Sequence, residues 1–156
     1  MRSLLSRLAG LAMAALLATA APAHAQRLDL TITPASITMP SGDPDVMPVL
    51  TSPPVTVSVR VRQIKKDESW SLTVLANGDL IAGLASVDIS NVTWTATPAP
   101  PFQNGTLSRT VAQPLASGTG MQNPALNASV TFRLANSWTY TAGTYTQTLV
   151  FTLSAP

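Results

Sequence analysis

The sequence predicts an all-β protein, an immunoglobulin-like antiparallel β-sandwich of about seven to nine strands preceded by a signal-peptide helix. Three observations carry this. Apolar and polar residues alternate with a period of two in several short segments, which turns a single face of each towards a core. Clusters of Gly, Pro and Asn separate those segments. No stretch after the leader keeps the helical period for long enough, and abundant Thr, Ser and Val with scarce Lys and Glu favour strands.

Residues 1–25 read as an export signal. Arg2 and Arg7 form a positive start, residues 8–21 form an apolar run, and Ala23-His24-Ala25 supplies a small-x-small cleavage pattern ahead of Gln26. The run is shorter than the about 20 residues that a hydrocarbon core requires. Residues 26–156 then form a single domain with no integral membrane span, and the segment 40–54 is a strand-linking loop. Leu28, Leu30 and Ile32 alternate with Asp29 and Thr31 as a first strand. Val55, Val57, Val59 and Val61 give the cleanest alternation, and Lys65-Lys66-Asp67-Glu68 follows as a solvated hairpin tip. Trp70, Leu72 and Val74 resume the pattern up to Asn77-Gly78-Asp79, a tight-turn signal. Val87 and Ile89 share one parity and Val92, Trp94 and Ala96 the other, so a bulge or a change of sheet is expected near Ser90-Asn91. Prolines 98, 100 and 101 close that segment. Leu107, Arg109 and Val111 suggest a further strand, residues 112–127 a long connection. Two last strands are expected through Ala128, Val130, Phe132 and Leu134, and from Tyr145 to Leu153.

The chain carries 9 Lys and Arg against 7 Asp and Glu, a net charge of +2. Both excess positive charges sit in the leader, so the exported part is neutral and high basicity gives no ground for nucleic-acid binding. Cysteine is absent, and the lone His24 departs with the leader. Disulfides, a Ser-His-Asp triad and the commonest zinc ligand are thereby excluded from the exported chain. No cofactor is expected. Asp43, Asp45, Asp79 and Asp88 could offer oxygens to calcium, but they lack the regular spacing of a ligand loop.

Trp70-Ser71-Leu72 and the closing run Tyr145-Thr146-Gln147-Thr148-Leu149-Val150-Phe151-Thr152-Leu153 resemble the WxL domain family of bacterial surface proteins. That family has a Trp-x-Leu strand and a final Tyr-x-x-x-Leu-x-Trp-x-Leu strand near a terminal proline. Phe151 occupies the place of the second Trp. The resemblance covers about residues 55–156 and implies a secreted β-sandwich attached non-covalently to the cell wall, with peptidoglycan as partner. Ala142-Gly143-Thr144-Tyr145 and the strand after it also resemble spore-coat-U-like and fimbrial subunits, which are secreted sandwiches often joined by donor-strand exchange.

Trp70, Trp94, Leu72, Tyr145, Leu149, Phe151 and Leu153 are expected in or against the core, with Tyr145 also suited to a corner hydrogen bond to nearby backbone. Trp138 and Tyr140 lie outside clean strand context and are the candidate ligand or partner contacts. The function expected is non-catalytic: attachment or adhesion at the bacterial surface through envelope glycan or other surface proteins. The alternatives are a pilus or coat subunit that assembles through edge strands, and a small carbohydrate-active enzyme working through a carboxylate pair. The expected location is the cell surface, the surrounding medium or the periplasm, and a neutral surface makes self-association plausible.

Overall fold

The computed structural model describes residues 27–36 and 38–156; the leader predicted over 1–25 lies outside them. Among the described residues there are eleven strands: β1 (Arg27–Thr33), β2 (Val49–Thr51), β3 (Val55–Arg62), β4 (Ser69–Ala76), β5 (Leu80–Ala82), β6 (Ala85–Val87), β7 (Val92–Thr97), β8 (Gly105–Thr106), β9 (Gln113–Thr119), β10 (Gln122–Ala135) and β11 (Leu149–Ser154). The number exceeds seven to nine because β2, β5, β6 and β8 are pieces of two or three residues, too short to show a period. The first sheet runs β1-β3-β10-β7-β8, with β2 also on β10; the second runs β11-β4-β9; β5 and β6 form a separate hairpin. Every pairing is antiparallel. The molecule is a β-sandwich.

Most of its core consists of residues the alternation selects; Ile64, Phe102, Leu115 and Ala116 join it from outside that pattern, and Val111, which the pattern includes, is exposed. Val55, Val57, Val59 and Val61 from β3, Trp70, Leu72 and Val74 from β4, Trp94 from β7 and Val130 and Phe132 from β10 are all buried in one cluster. Both core tryptophans rest on a glycine that is their partner across the ladder: Trp70 pairs with Gly118 and Trp94 with Gly105. A Cβ on Gly118 would lie 2.8 Å from Cζ2 of Trp70, and one on Gly105 would lie 3.0 Å from Cε2 of Trp94. Large rings and absent side chains thus fill each other's space. The indole N–H of Trp94 donates to the Gln103 carbonyl at 2.8 Å.

Ser52 resolves a backbone conflict. Neither Pro53 nor Pro54 can donate to a ladder, so the line of strand beside β10 is broken into β2 and β3. The Ser52 N–H donates to the Phe132 carbonyl at 2.8 Å, and the Phe132 N–H donates to the Ser52 hydroxyl at 3.0 Å. That hydroxyl also donates to the Pro53 carbonyl at 2.7 Å. A side chain thereby supplies the acceptor that the broken strand lacks, which is why a serine is buried here.

Besides the strand number, six sequence expectations change. Residues 40–54 are more than a linking loop, because they contain β2, which pairs with β10. Lys65 to Glu68 is a turn, closed by the Lys65 N–H donating to the Glu68 carboxylate at 2.8 Å, but it joins β3 to β4 across the two sheets and is no hairpin tip. Gln63, at φ 62°, and buried Ile64 turn the chain over. At Asn77-Gly78 the chain bends without positive φ; the two-residue hairpin is Gly83-Leu84, where Gly83 takes φ +60°. Leu107 to Val111 is not a strand, because the Ser108 hydroxyl accepts from the N–H groups of Thr110 and Val111 and holds a local turn. Residues 112–127 are no loose connection, since they contain β9 and the start of β10. The last strand begins at Leu149; Tyr145 to Thr148 precede it with one bridge from Thr146 to Ile81. At Ser90-Asn91 a 3-10 turn (Ile89–Asn91) carries the chain from the β5-β6 hairpin into the first sheet.

Candidate functional site

One lateral side of the sandwich is closed. The Gln103 N–H donates to the Leu115 carbonyl at 2.9 Å and Phe102 bridges to Ala116, so the segment after β7 covers the outer edge of β9. On the opposite side β1 and β11 end their sheets. The inward residues there, Leu28, Leu30 and Ile32 of β1 and Leu149, Phe151 and Leu153 of β11, are only half-buried, unlike the rows of β3 and β4. The aromatic closing motif predicted from the sequence therefore lies on a partly open flank. Trp70 and Leu72, its other half, lie in the deep core, and β11 pairs with the strand that carries them: Leu153 with Leu72 and Phe151 with Val74.

The loop face carrying Trp138 is held by its own polar groups. The Asp43 carboxylate accepts from the Asp45 N–H at 2.8 Å, and the Met47 N–H donates to the Asp43 carbonyl at 2.7 Å, which folds 43–47 into a tight turn. The Asn136 side-chain amide donates to the carbonyls of Gly42 and Met47, each at 3.0 Å, and clamps that turn to the end of β10. The Ser137 hydroxyl accepts from the Thr139 N–H at 3.2 Å, and the Tyr140 N–H donates to the Ser137 carbonyl at 3.2 Å. Trp138, 67% exposed, projects from this turn, and its indole N–H donates to the Asp45 carboxylate at 3.3 Å. Val46, 78% exposed, belongs to the same clamped turn. The two loop aromatics thus differ: Trp138 faces solvent, whereas Tyr140 is half-buried against the core. The hydroxyl of Tyr145 donates to the Thr141 carbonyl at 2.9 Å and ties the loop to the approach of β11. Asp45 as the partner of Trp138 carries no sequence signal, since the two residues lie far apart along the chain.

A shallow open cleft of about 300 Å³ lies beside the 3-10 turn, with Asp88, Ser90, Ser108, Arg109 and Thr110 on its walls. Its polar groups are engaged with one another. Asp79 accepts from the Ile89 N–H at 3.1 Å and pairs with Arg109. Asp88 caps the 3-10 turn by accepting from the Ser90 N–H at 2.8 Å, and hydrogen bonds from the Ser90 side chain and backbone hold its carboxyl below the ordinary carboxylate range. Asp29 pairs with Arg62, and Glu68 with Lys65 at 3.4 Å. These acids serve turns and ion pairs. Among the described residues no three Asp, Glu, His or Cys side chains converge to hold a metal ion. No helix among them is long and apolar enough to cross a membrane.

Comparison with protein-family models, with curated proteins and with solved structures gave no match.

Proposed function

We propose that this chain is an exported, non-catalytic β-sandwich that attaches its bearer to a bacterial surface, with Trp138 as the contact residue. The observation that carries the reading is an exposed indole fixed at both ends: its N–H is held by Asp45, and its loop is clamped by Asn136. A rigid aromatic plane on a loop loses little conformational entropy when a sugar ring or a partner side chain stacks on it. In this reading peptidoglycan or another envelope glycan is the ligand. The test is co-sedimentation of the exported protein with purified peptidoglycan sacculi. Retention is expected, and Trp138→Ala should weaken it about tenfold, which corresponds to about 1.4 kcal/mol. Complete absence of retention, or unchanged retention by Trp138→Ala, overturns the reading.

A second reading, a structural subunit of a pilus or coat, is favoured by β1. This strand ends its sheet and buries its inward leucines only by half. Residues 34–48 join it to β2 with four prolines and no Lys or Arg. Such a strand can leave its own sheet for a neighbour's. Electron microscopy of the exported protein at rising concentration tests it: fibres support polymerisation, and their absence refutes it.

A further inference from the structure

Among the described residues the strands that end the two main sheets, β1, β8, β9 and β11, are not equally protected. β8 is two residues long, and β9 carries Pro114 and is covered by the Phe102-Gln103 segment. β1 bears Asp29, engaged with Arg62, and runs into Pro34. These are the usual means by which edges avoid further pairing. β11 has none of them. Its six residues, Leu-Val-Phe-Thr-Leu-Ser, contain no charge and no proline, and its register with β4 from Leu149 to Ser154 is unbroken. No Asp, Glu, Lys or Arg occurs anywhere from residue 134 to 156. Among the described residues β11 pairs with β4 alone, so the N–H and C=O groups on its outer side have no ladder partner, although β1 of the other sheet lies close to it.

We propose that the outer edge of β11 pairs antiparallel with the same edge of a second copy of this chain, giving a closed two-fold dimer. An isologous contact needs a surface that is its own complement, and an uncharged strand edge is one. Nothing electrostatic opposes it, because residues 26–156 carry no net charge. With the two-fold axis perpendicular to the sheet, inward residues meet inward residues. Leu149, Phe151 and Leu153, half-buried in the single chain, then gain cover from their counterparts, and the two second sheets become one continuous sheet. The contact uses neither Trp138 nor β1, so it goes beyond both readings of function. It also predicts a finite species that depends on β11, where exchange of β1, whether it closes a pair or builds an open chain, does not use that edge.

The test is analytical ultracentrifugation of the exported protein at concentrations up to about 0.1 mM, where even an association with Kd of that order is half formed. A dimer is expected. Thr152 is exposed and points away from the core, so Thr152→Lys should leave the circular dichroism and melting temperature unchanged. It should weaken dimerisation at least about tenfold, since it sets like charges beside each other across the new ladder. Val150→Lys, at a second exposed position on the same face, should do the same and serves if Thr152→Lys misfolds. A wild-type monomer throughout the range overturns the proposal. So does a dimer indifferent to both lysines, or one that Trp138→Ala dissociates. Because no glycan is present, these results are independent of retention on sacculi.

Discussion

Placing a methyl group on Gly118 should push directly on Trp70. The added Cβ would lie 2.8, 2.9 and 3.0 Å from Cζ2, Cε2 and Nε1 of that ring. Carbon atoms in ordinary contact sit about 3.5–4.0 Å apart, so a whole ring edge must retreat by roughly 0.7 Å. Trp70 is 1% exposed and packs among Leu72, Val74 and their neighbours, so there is nowhere to retreat. Overpacking of this kind costs about 1–3 kcal/mol. Gly118 does not use positive φ, and its backbone accepts alanine without strain. In a strand, replacing glycine by alanine should even help, by about 0.5–1 kcal/mol, because the unfolded chain loses freedom. The sign therefore depends on the indole. Gly118→Ala should destabilise the protein in the presence of Trp70 and become neutral or stabilising in a Trp70→Phe background. Urea unfolding followed by circular dichroism, for the wild type, both single variants and the double variant, measures the coupling. A cost for Gly118→Ala below about 0.5 kcal/mol, or the same cost in both backgrounds, would refute the account of the glycine.

Three further outcomes are expected. Ser52→Ala leaves the buried Phe132 N–H without its acceptor and should cost about 1–3 kcal/mol in urea unfolding, with faster hydrogen exchange at the Phe132 amide. Asp79→Ala should be more damaging than Arg109→Ala in the same assay. The arginine offers one exposed ion pair, of about 0–1 kcal/mol, whereas loss of Asp79 also strips the Ile89 N–H of its acceptor. Asp88 titrates below the ordinary carboxylate range in the fold, so its stabilising effect is present above the unfolded pKa and is lost as pH falls through the folded one. Melting curves of the wild type and Asp88→Ala should accordingly differ most near neutrality and converge on acidification; a gap that is constant with pH would argue against the cap.

How legible the fold was depended on where the deciding interaction lies. The rows of β3, of β4 from Trp70 to Val74 and of β10 from Val130 to Leu134 are read from the chain because there each inward residue is large and apolar and each outward one is polar. β9 is not, since Pro114 and Gly118 resemble loop signals. Gly118 is there for a ring on another strand, and Pro114 sits beside a register shift opposite Leu72 and Thr73. Conversely, Leu107 to Val111 alternates like a strand, yet the hydroxyl of Ser108 takes the backbone donors a ladder would have used. The crossing after Arg62 was hidden for a related reason, because charged turn residues are equally at home at a hairpin tip and between sheets. At the candidate contact face, the loop setting of Trp138 was visible in its neighbours, and its exposure follows from it. Asp45 and the clamp from Asn136 were not, because long-range side-chain hydrogen bonds leave no local periodicity.

The two ring-on-glycine pairs also bear on how the strands find their alignment. β8 has two residues and β9 contains a register shift, so hydrogen bonds alone discriminate poorly between neighbouring alignments. Sliding β9 by two residues would keep every side chain on its proper face, and the pleat offers no objection. A slip in one direction would, however, bring Ala116 opposite Trp70, with a Cβ where the ring now lies; in the other direction the opposite residue is Gly120, which shape does not exclude. A two-residue slip of β8 would likewise bring Gln103 or Leu107 opposite Trp94, each with a side chain where the ring now lies. Shape exclusion at one position in each sheet thus acts as a key, rejecting alignments that the ladder alone would accept.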